Sequence, residues 1–428
     1  MMLEWLLLLS YAVILIIFEK IINLNKGRKF SITLNNFFFI ALVAYTLLPV
    51  LDCLINERHV EYVGSFLGKT IILVVSLAAG YMFGKKFKLK KKYFVCVTKY
   101  SLSKTEQYWW VILYGAMVLL FLMINIVLNR GGLSSFFGST YRESYIGEQS
   151  TVIGALLYAS MPYAMVFNEK TLITQKGARF IALLFSLVII ILNFFGGNRN
   201  LAVMIAIALV WTMFREFKFN KMFVYLAMVV GIIFLGLIAV FREYSVINVL
   251  NGNVQLNWDN VKEYCFSFSK SEVGTTFSFE RYKDMMVEGF RFPYALGYSY
   301  LVLSIINIVP SSLWAGKPMP YANYFSKCAF DTFDGTGYGF SPIFEAEINF
   351  GVFWWIVFFI LGVVLTKISG WTVERDINKY FNAGLMACLV LNFFRIDFAT
   401  CVKFFAMMWC FKWLFLLSFQ ANKKIKLR

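Results

Sequence analysis

Ser341, Glu345 and Asn349 stand at i, i+4 and i+8 in SPIFEAEINFG, so on a helix they share one face while Glu347 points elsewhere. They follow a Gly-, Pro- and aromatic-rich stretch, 310–351, that joins a polar loop to a very apolar run. A carboxyl group desolvated there suits a general base that deprotonates a hydroxyl. Glu345 also reads as a helix-start acid favoured by the positive end of the helix dipole, and for Glu347 this structural reading is the stronger one. Irregular backbone and ionisable groups at membrane depth are tolerated only in a protein interior or a cavity, which marks this stretch as the first place to look for chemistry.

A second set is cationic: Arg130, Arg142, Arg199, Arg242, Arg281, Arg291, Lys317 and Arg395. Arg199 lies in FFGGNRN, a very tight connection between two apolar runs, and Arg242 closes the next run in VFREYS. A guanidinium fixed at a membrane surface binds phosphate through two parallel hydrogen bonds. The alternative for each such residue is an arginine snorkelling to lipid headgroups.

Other groups carry weaker signals. His59, the single histidine, sits between Glu57 and Glu61 in a short loop without the spacing of a metal motif. Asp331 and Asp334 occur in DTFDGTGYG, where Asp forms turns. Lys69 and Lys403 fall inside apolar runs and either face a polar cavity or pair with an acid such as Asp52 or Asp397. Trp314, Tyr321, Tyr324 and Tyr338 are placed to stack on sugar rings or to anchor at the interface. No P-loop, GxSxG or HExxH is present, which argues against ATP hydrolysis, serine hydrolysis and zinc proteolysis.

The elements that must position these residues are membrane spans. Of the 428 residues, 60% are hydrophobic and only 15% charged, and the mean hydropathy is +0.67. Apolar runs lie near 2–18, 37–55, 63–84, 108–129, 150–168, 178–195, 200–214, 222–241, 342–366, 380–394 and 398–419. The fold expected is an all-α polytopic membrane protein of about eleven transmembrane helices. The first run lacks a basic start and a cleavage site, so it reads as a retained span. A net charge of +17 would suit nucleic acid on a soluble domain, but here the Lys and Arg sit mostly in short loops between spans.

If spans alternate, the basic loops all fall on one side, which places the C-terminus in the cytoplasm and the N-terminus outside. Three regions follow: an N-terminal bundle 1–241 of about eight spans, one large outer (periplasmic) loop 242–341, and a C-terminal bundle 342–428 of about three spans. The moderately apolar run 292–309 is assigned to an interfacial or re-entrant helix, because a crossing there would put the basic tail outside. Cys53, Cys388, Cys401 and Cys410 lie in apolar runs as small buried thiols, and Cys265 and Cys328 share the outer loop and either pair or stay free.

GGNRN at 196–200, WAGKP at 314–318 and GTGYGFSPIFEAEINFG at 335–351 resemble the Wzy-type O-antigen polymerases, also called oligosaccharide repeat unit polymerases. The many-spanned architecture with one late outer loop extends the similarity over most of the chain. The resemblance implies a metal-independent glycosyltransferase, without cofactor, in the bacterial inner membrane. It would move a growing glycan from undecaprenyl pyrophosphate onto the non-reducing-end sugar hydroxyl of a new lipid-linked repeat unit on the periplasmic face. In that role Arg199 and Arg242 bind pyrophosphate, and Glu345 is the base or positions the acceptor. Arg281, Arg291, Lys317, Ser341, Asn349, Tyr338 and Trp314 support substrate binding. Expected partners are membrane lipid and the lipid-linked oligosaccharide, with a chain-length regulator and a flippase as further ones, and no nucleic acid. An O-antigen ligase with the same donor and a lipid-linked oligosaccharide flippase are the alternatives.

Overall fold

The computed structural model describes residues 2–23, 29–55, 60–86, 102–130, 151–195, 199–214, 218–220, 296–310, 316–330, 339–371 and 376–425, with isolated residues between them. Long apolar runs close their backbone hydrogen bonds internally, the only economical course where water is absent, and the described residues are almost all helical. The N-terminal part contains α1 (Met2–Asn23), α2 (Leu34–Ile55), α3 (Val60–Lys86), α4 (Lys104–Arg130), α5 (Thr151–Leu157), α6 (Ser160–Asn168), α7 (Lys176–Phe195) and α8 (Arg199–Met213). After it come α9 (Val302–Ile308), α10 (Tyr321–Phe330), α11 (Pro342–Phe350), α12 (Trp355–Trp371), α13 (Ile377–Phe393) and α14 (Phe398–Ile425).

Ten of the eleven expected runs fall on helices, and 222–241 lies almost wholly outside the described residues. Among the described residues six helices are long and apolar enough to cross a membrane, or seven if the bent pair α11–α12 is one span. Two expected spans are altered. The run 150–168 is interrupted at Tyr158 and Ala159, between α5 and α6. The run 342–366 is broken near Gly351, where α11 and α12 meet at 115°. The all-helical expectation also gains a small antiparallel ribbon, β1 (Lys29–Ser31) on β2 (Lys218–Asn220), with Phe30 opposite Phe219. Among the described residues of the run 292–309 the helix is the seven-residue α9, too short by itself to cross.

Small residues let the helices approach closely. A Cβ on Gly80 would collide with the carbonyl of Phe359, and one on Gly362 with that of Leu77, so α3 and α12 touch backbone to backbone. Thr366 Oγ1 donates to the Tyr81 carbonyl across the same crossing at 3.1 Å. Elsewhere aromatic rings fill the core: Phe415 of α14 packs against Tyr114, Tyr163 and Phe167 at centroid distances of 4.8, 6.4 and 5.7 Å. Of the four thiols in apolar runs, Cys53, Cys388 and Cys401 are buried, whereas Cys410 is exposed on the outside of α14.

Three contacts order the helix ends. Lys85 Nζ donates to the Ile21 carbonyl at 2.7 Å, and Asn35 Nδ2 to Tyr81 Oη at 2.8 Å. With the ribbon, these gather the ends of α1, α3 and α8 and the start of α2 on one face, as the basic loops require. At the other end of α8, Asn392 Nδ2 meets Met204 Sδ at 3.3 Å. The first turns of α8, which begins at Arg199, are thereby brought to the end of α13 and the turn 394–397.

Candidate functional site

The helix α11 is short for a local reason at each end. Ser341 is extended (φ −109°, ψ 131°), and Pro342 at the first helical position has no N–H to leave unpaired. At the other end Gly351 adopts φ 54°, ψ −125°, a conformation open to glycine and costly for any other residue. The chain therefore leaves the axis of α12 and turns back as a separate nine-residue element.

On its inner face Glu345, 2% exposed, ties three distant segments together. Ser299 Oγ donates to Oε1 at 2.6 Å, and the N–H of Phe398, first residue of α14, donates to Oε2 at 2.8 Å. Asn349, one turn along, donates from Nδ2 to Ser299 Oγ at 2.9 Å and to the Glu345 carbonyl at 2.7 Å, while its Oδ1 accepts from the Ser299 N–H at 3.3 Å. The turn that carries Ser299 is shaped by two positive φ values, 44° at Leu296 and 83° at Gly297. A carboxyl that already accepts a hydroxyl hydrogen at 2.6 Å can accept one from a substrate hydroxyl in the same position.

Asp397 builds the other half of this node. Its Oδ1 accepts from the Thr400 N–H at 2.7 Å, capping α14, and its Oδ2 accepts from the Ala322 N–H at 2.9 Å, at the first turn of α10. Burial pushes the Asp397 carboxyl above the ordinary aspartate range despite those donors. Tyr300 covers the node, its ring 5.1 Å from Phe398 and 5.9 Å from Phe350. Burial raises its phenol well above the usual value, and the charge of Glu345 adds to this.

The other expected residues divide. Ser341 lies on the same face as Glu345, and its buried Oγ has no hydrogen-bond partner among the described residues. Glu347 does point away from Glu345, toward α3, where it forms an ion pair with Lys69. Lys69 thus has an acidic partner, Glu347, carried by the short helix that the break at Gly351 sets apart from α12. Lys403 is within reach of the charges of both Lys317 and Asp397. Lys317 closes the end of α9, donating to the carbonyls of Val309 at 2.8 Å and Asn307 at 3.4 Å, and to Asn307 Oδ1 at 3.3 Å. Partial burial lowers its affinity for a proton. Trp314 is 44% exposed. Tyr321 and Tyr324 pack against the cluster of Phe325, Phe340, Phe344 and Ile348.

Arg395 sits in the turn before Asp397, and its carbonyl accepts the Phe340 N–H at 2.6 Å, joining that turn to the start of α11. Arg199 begins α8, but its side chain lies outside the described residues, as does that of Arg130. Arg142, Arg242, Arg281, Arg291, Tyr338, Asp331, Asp334 and His59 also lie outside the described residues, as does the question of Cys265 and Cys328.

Sequence reasoning missed Ser299 altogether and gave Asp397 only the part of a lysine partner. Ser299 lies 46 residues before Glu345 in a stretch whose only local mark is Gly297. Asp397 had a usable signal, since an acid three residues before Thr400 at the head of an apolar run is an N-cap pattern.

With this geometry in place, comparison with known proteins is informative at one level. The family model for O-antigen polysaccharide polymerase Wzy matches residues 3–424, nearly the whole chain. No curated protein and no solved structure matches.

Proposed function

The chain belongs to the O-antigen polysaccharide polymerase Wzy family, and we propose that it extends a surface glycan by transfer from undecaprenyl pyrophosphate. Membership makes it a glycosyltransferase-type enzyme of the inner membrane acting in polysaccharide biosynthesis. In our reading the acceptor is the non-reducing-end hydroxyl of a new lipid-linked repeat unit, the reaction takes place on the periplasmic face, and no metal takes part. A chain-length regulator and a flippase work beside it.

The observation that carries this reading is the Ser299–Glu345 hydrogen bond, 2.6 Å long, at a node joined to the Arg199 end of α8 through Asn392 and Met204. The acceptor hydroxyl takes the place of the Ser299 hydroxyl on Oε1, and Glu345 removes its proton as the new bond to the anomeric carbon forms. The bond between that carbon and the pyrophosphate oxygen breaks, and undecaprenyl pyrophosphate leaves as an anion. Arg199 and Arg242 stabilise the departing charge, as preorganised cations do where charge develops. Asn349 holds the Ser299 loop, and Ser341, on the same face, supplies a buried hydroxyl for substrate binding. Arg281, Arg291, Lys317, Tyr338 and Trp314 complete the substrate contacts from the outer loop.

The test is a deletion strain. Loss of this enzyme leaves single repeat units on the lipid carrier or at the cell surface, read as collapse of the glycan ladder to one band. Repeat units trapped in the cytoplasm would instead identify a transporter.

A further inference from the structure

Lys69 and Glu347 form an ion pair that the reaction above does not use, and each is partly exposed, at 24% and 18%. Lys69 lies nine residues into α3, about 14 Å along the helix axis at 1.5 Å per residue, in a helix apolar enough to cross a membrane. An ion pair open to acyl chains at that depth is costly, so partial exposure of both heads places them on a water-filled or ligand-filled space.

The surface of α3 beside the pair has two supporting features. Glu61, Ser65 and Lys69 stand at i, i+4 and i+8, a polar stripe running from the helix start down to the ammonium. On the adjoining face a Cβ at Gly68 would meet nothing within 4 Å among the described residues, and one at Gly64 only Leu7, at 4.0 Å. Further along the same helix Gly80 and Gly84 are packed hard against α12. The lower glycines thus serve a helix crossing and Gly64 faces Leu7 of α1, while Gly68 alone leaves open space among the described residues at the level of Lys69. Glu347 is carried by α11, whose opposite face holds Glu345, so a single short helix lies between this ion pair and the node.

We propose that Lys69 is a further anion-binding residue, which exchanges its contact with Glu347 for a phosphate of the lipid-linked pyrophosphate lying beside Gly68. The proposal rests on the glycosyl-transfer reading for the identity of the anion. Glu347 is a positioning residue that holds the ammonium in place while the site is empty.

The test compares wild type with Lys69→Glu, the exchanged pair Lys69→Glu/Glu347→Lys, and Gly68→Leu, all purified in nanodiscs. Thermal stability reports the ion pair, and binding of undecaprenyl pyrophosphate reports the anion site. The exchanged pair regains the stability lost in Lys69→Glu but binds undecaprenyl pyrophosphate at least tenfold more weakly than wild type. Gly68→Leu keeps wild-type stability and also binds more weakly. Wild-type affinity in the exchanged pair and in Gly68→Leu would overturn the proposal and leave a structural ion pair only. Binding is measured apart from polymerisation, so a wild-type protein that binds but makes no polymer counts against the proposed function and not against Lys69.

Discussion

Glu345 and Glu347 stand two residues apart on α11 and are held by different parts of the bundle: Glu345 by Ser299 and the start of α14, Glu347 by Lys69 of α3. Successive carboxylates at this spacing face nearly opposite sides of a helix, so α11 bridges the N-terminal and C-terminal helices. Its orientation fixes both the node and the ion pair.

Removing either member of the Ser299–Glu345 bond should have different consequences. Ser299→Ala vacates Oε1 without removing the carboxyl, and should lower stability by about 1–2 kcal/mol while polymerisation continues. Glu345→Gln keeps the shape but cannot take a proton, and should reduce polymerisation by at least 100-fold. Ladder length on gels and melting temperature for the two variants separate these outcomes.

The bend depends on Gly351. At φ 54°, ψ −125° a Cβ is strained, so Gly351→Ala should cost about 1–3 kcal/mol. Reorientation of α11 would also weaken both carboxylate contacts. Thermal unfolding in detergent, followed by a ladder assay, checks both effects.

Close packing of α3 on α12 gives a control remote from the node. Gly362→Leu drives a side chain into the backbone of Leu77 and Tyr81, and overpacking of this kind costs about 1–3 kcal/mol or more. Loss of folded protein on size exclusion is expected. Enzyme that remains folded should keep its affinity for the lipid-linked substrate.

Asp397 predicts the sign of a pH effect. Its folded-state affinity for a proton is raised by burial, so the folded protein holds a proton that the unfolded chain releases near pH 4. Stability should therefore be greatest below that pH and fall as pH rises toward the folded-state value. Asp397→Asn should flatten this slope. Melting temperatures from pH 4 to 8 measure it.

Much of this was legible in the sequence because burial in lipid is a strong, local signal. Apolar runs located the helices, and the i, i+4, i+8 spacing put Ser341, Glu345 and Asn349 on one face with Glu347 off it. Two features escaped that signal. The break at Gly351 is set by one residue inside an apolar run, and hydropathy averages over it. The partners Ser299 and Lys69 are chosen by how distant helices meet, which no spacing within α11 records. The contact of Asn392 with Met204 likewise emerges only from the packing of α8 on α13.

The most direct measurement is polymerisation of a synthetic undecaprenyl-pyrophosphate-linked repeat unit by the purified protein in the presence of a chelator. The account predicts a ladder of lengthening lipid-linked glycans with one undecaprenyl pyrophosphate released per bond formed, absent in Arg199→Ala and in Glu345→Gln. A full ladder from Glu345→Gln, or no ladder from folded wild-type protein, would contradict it.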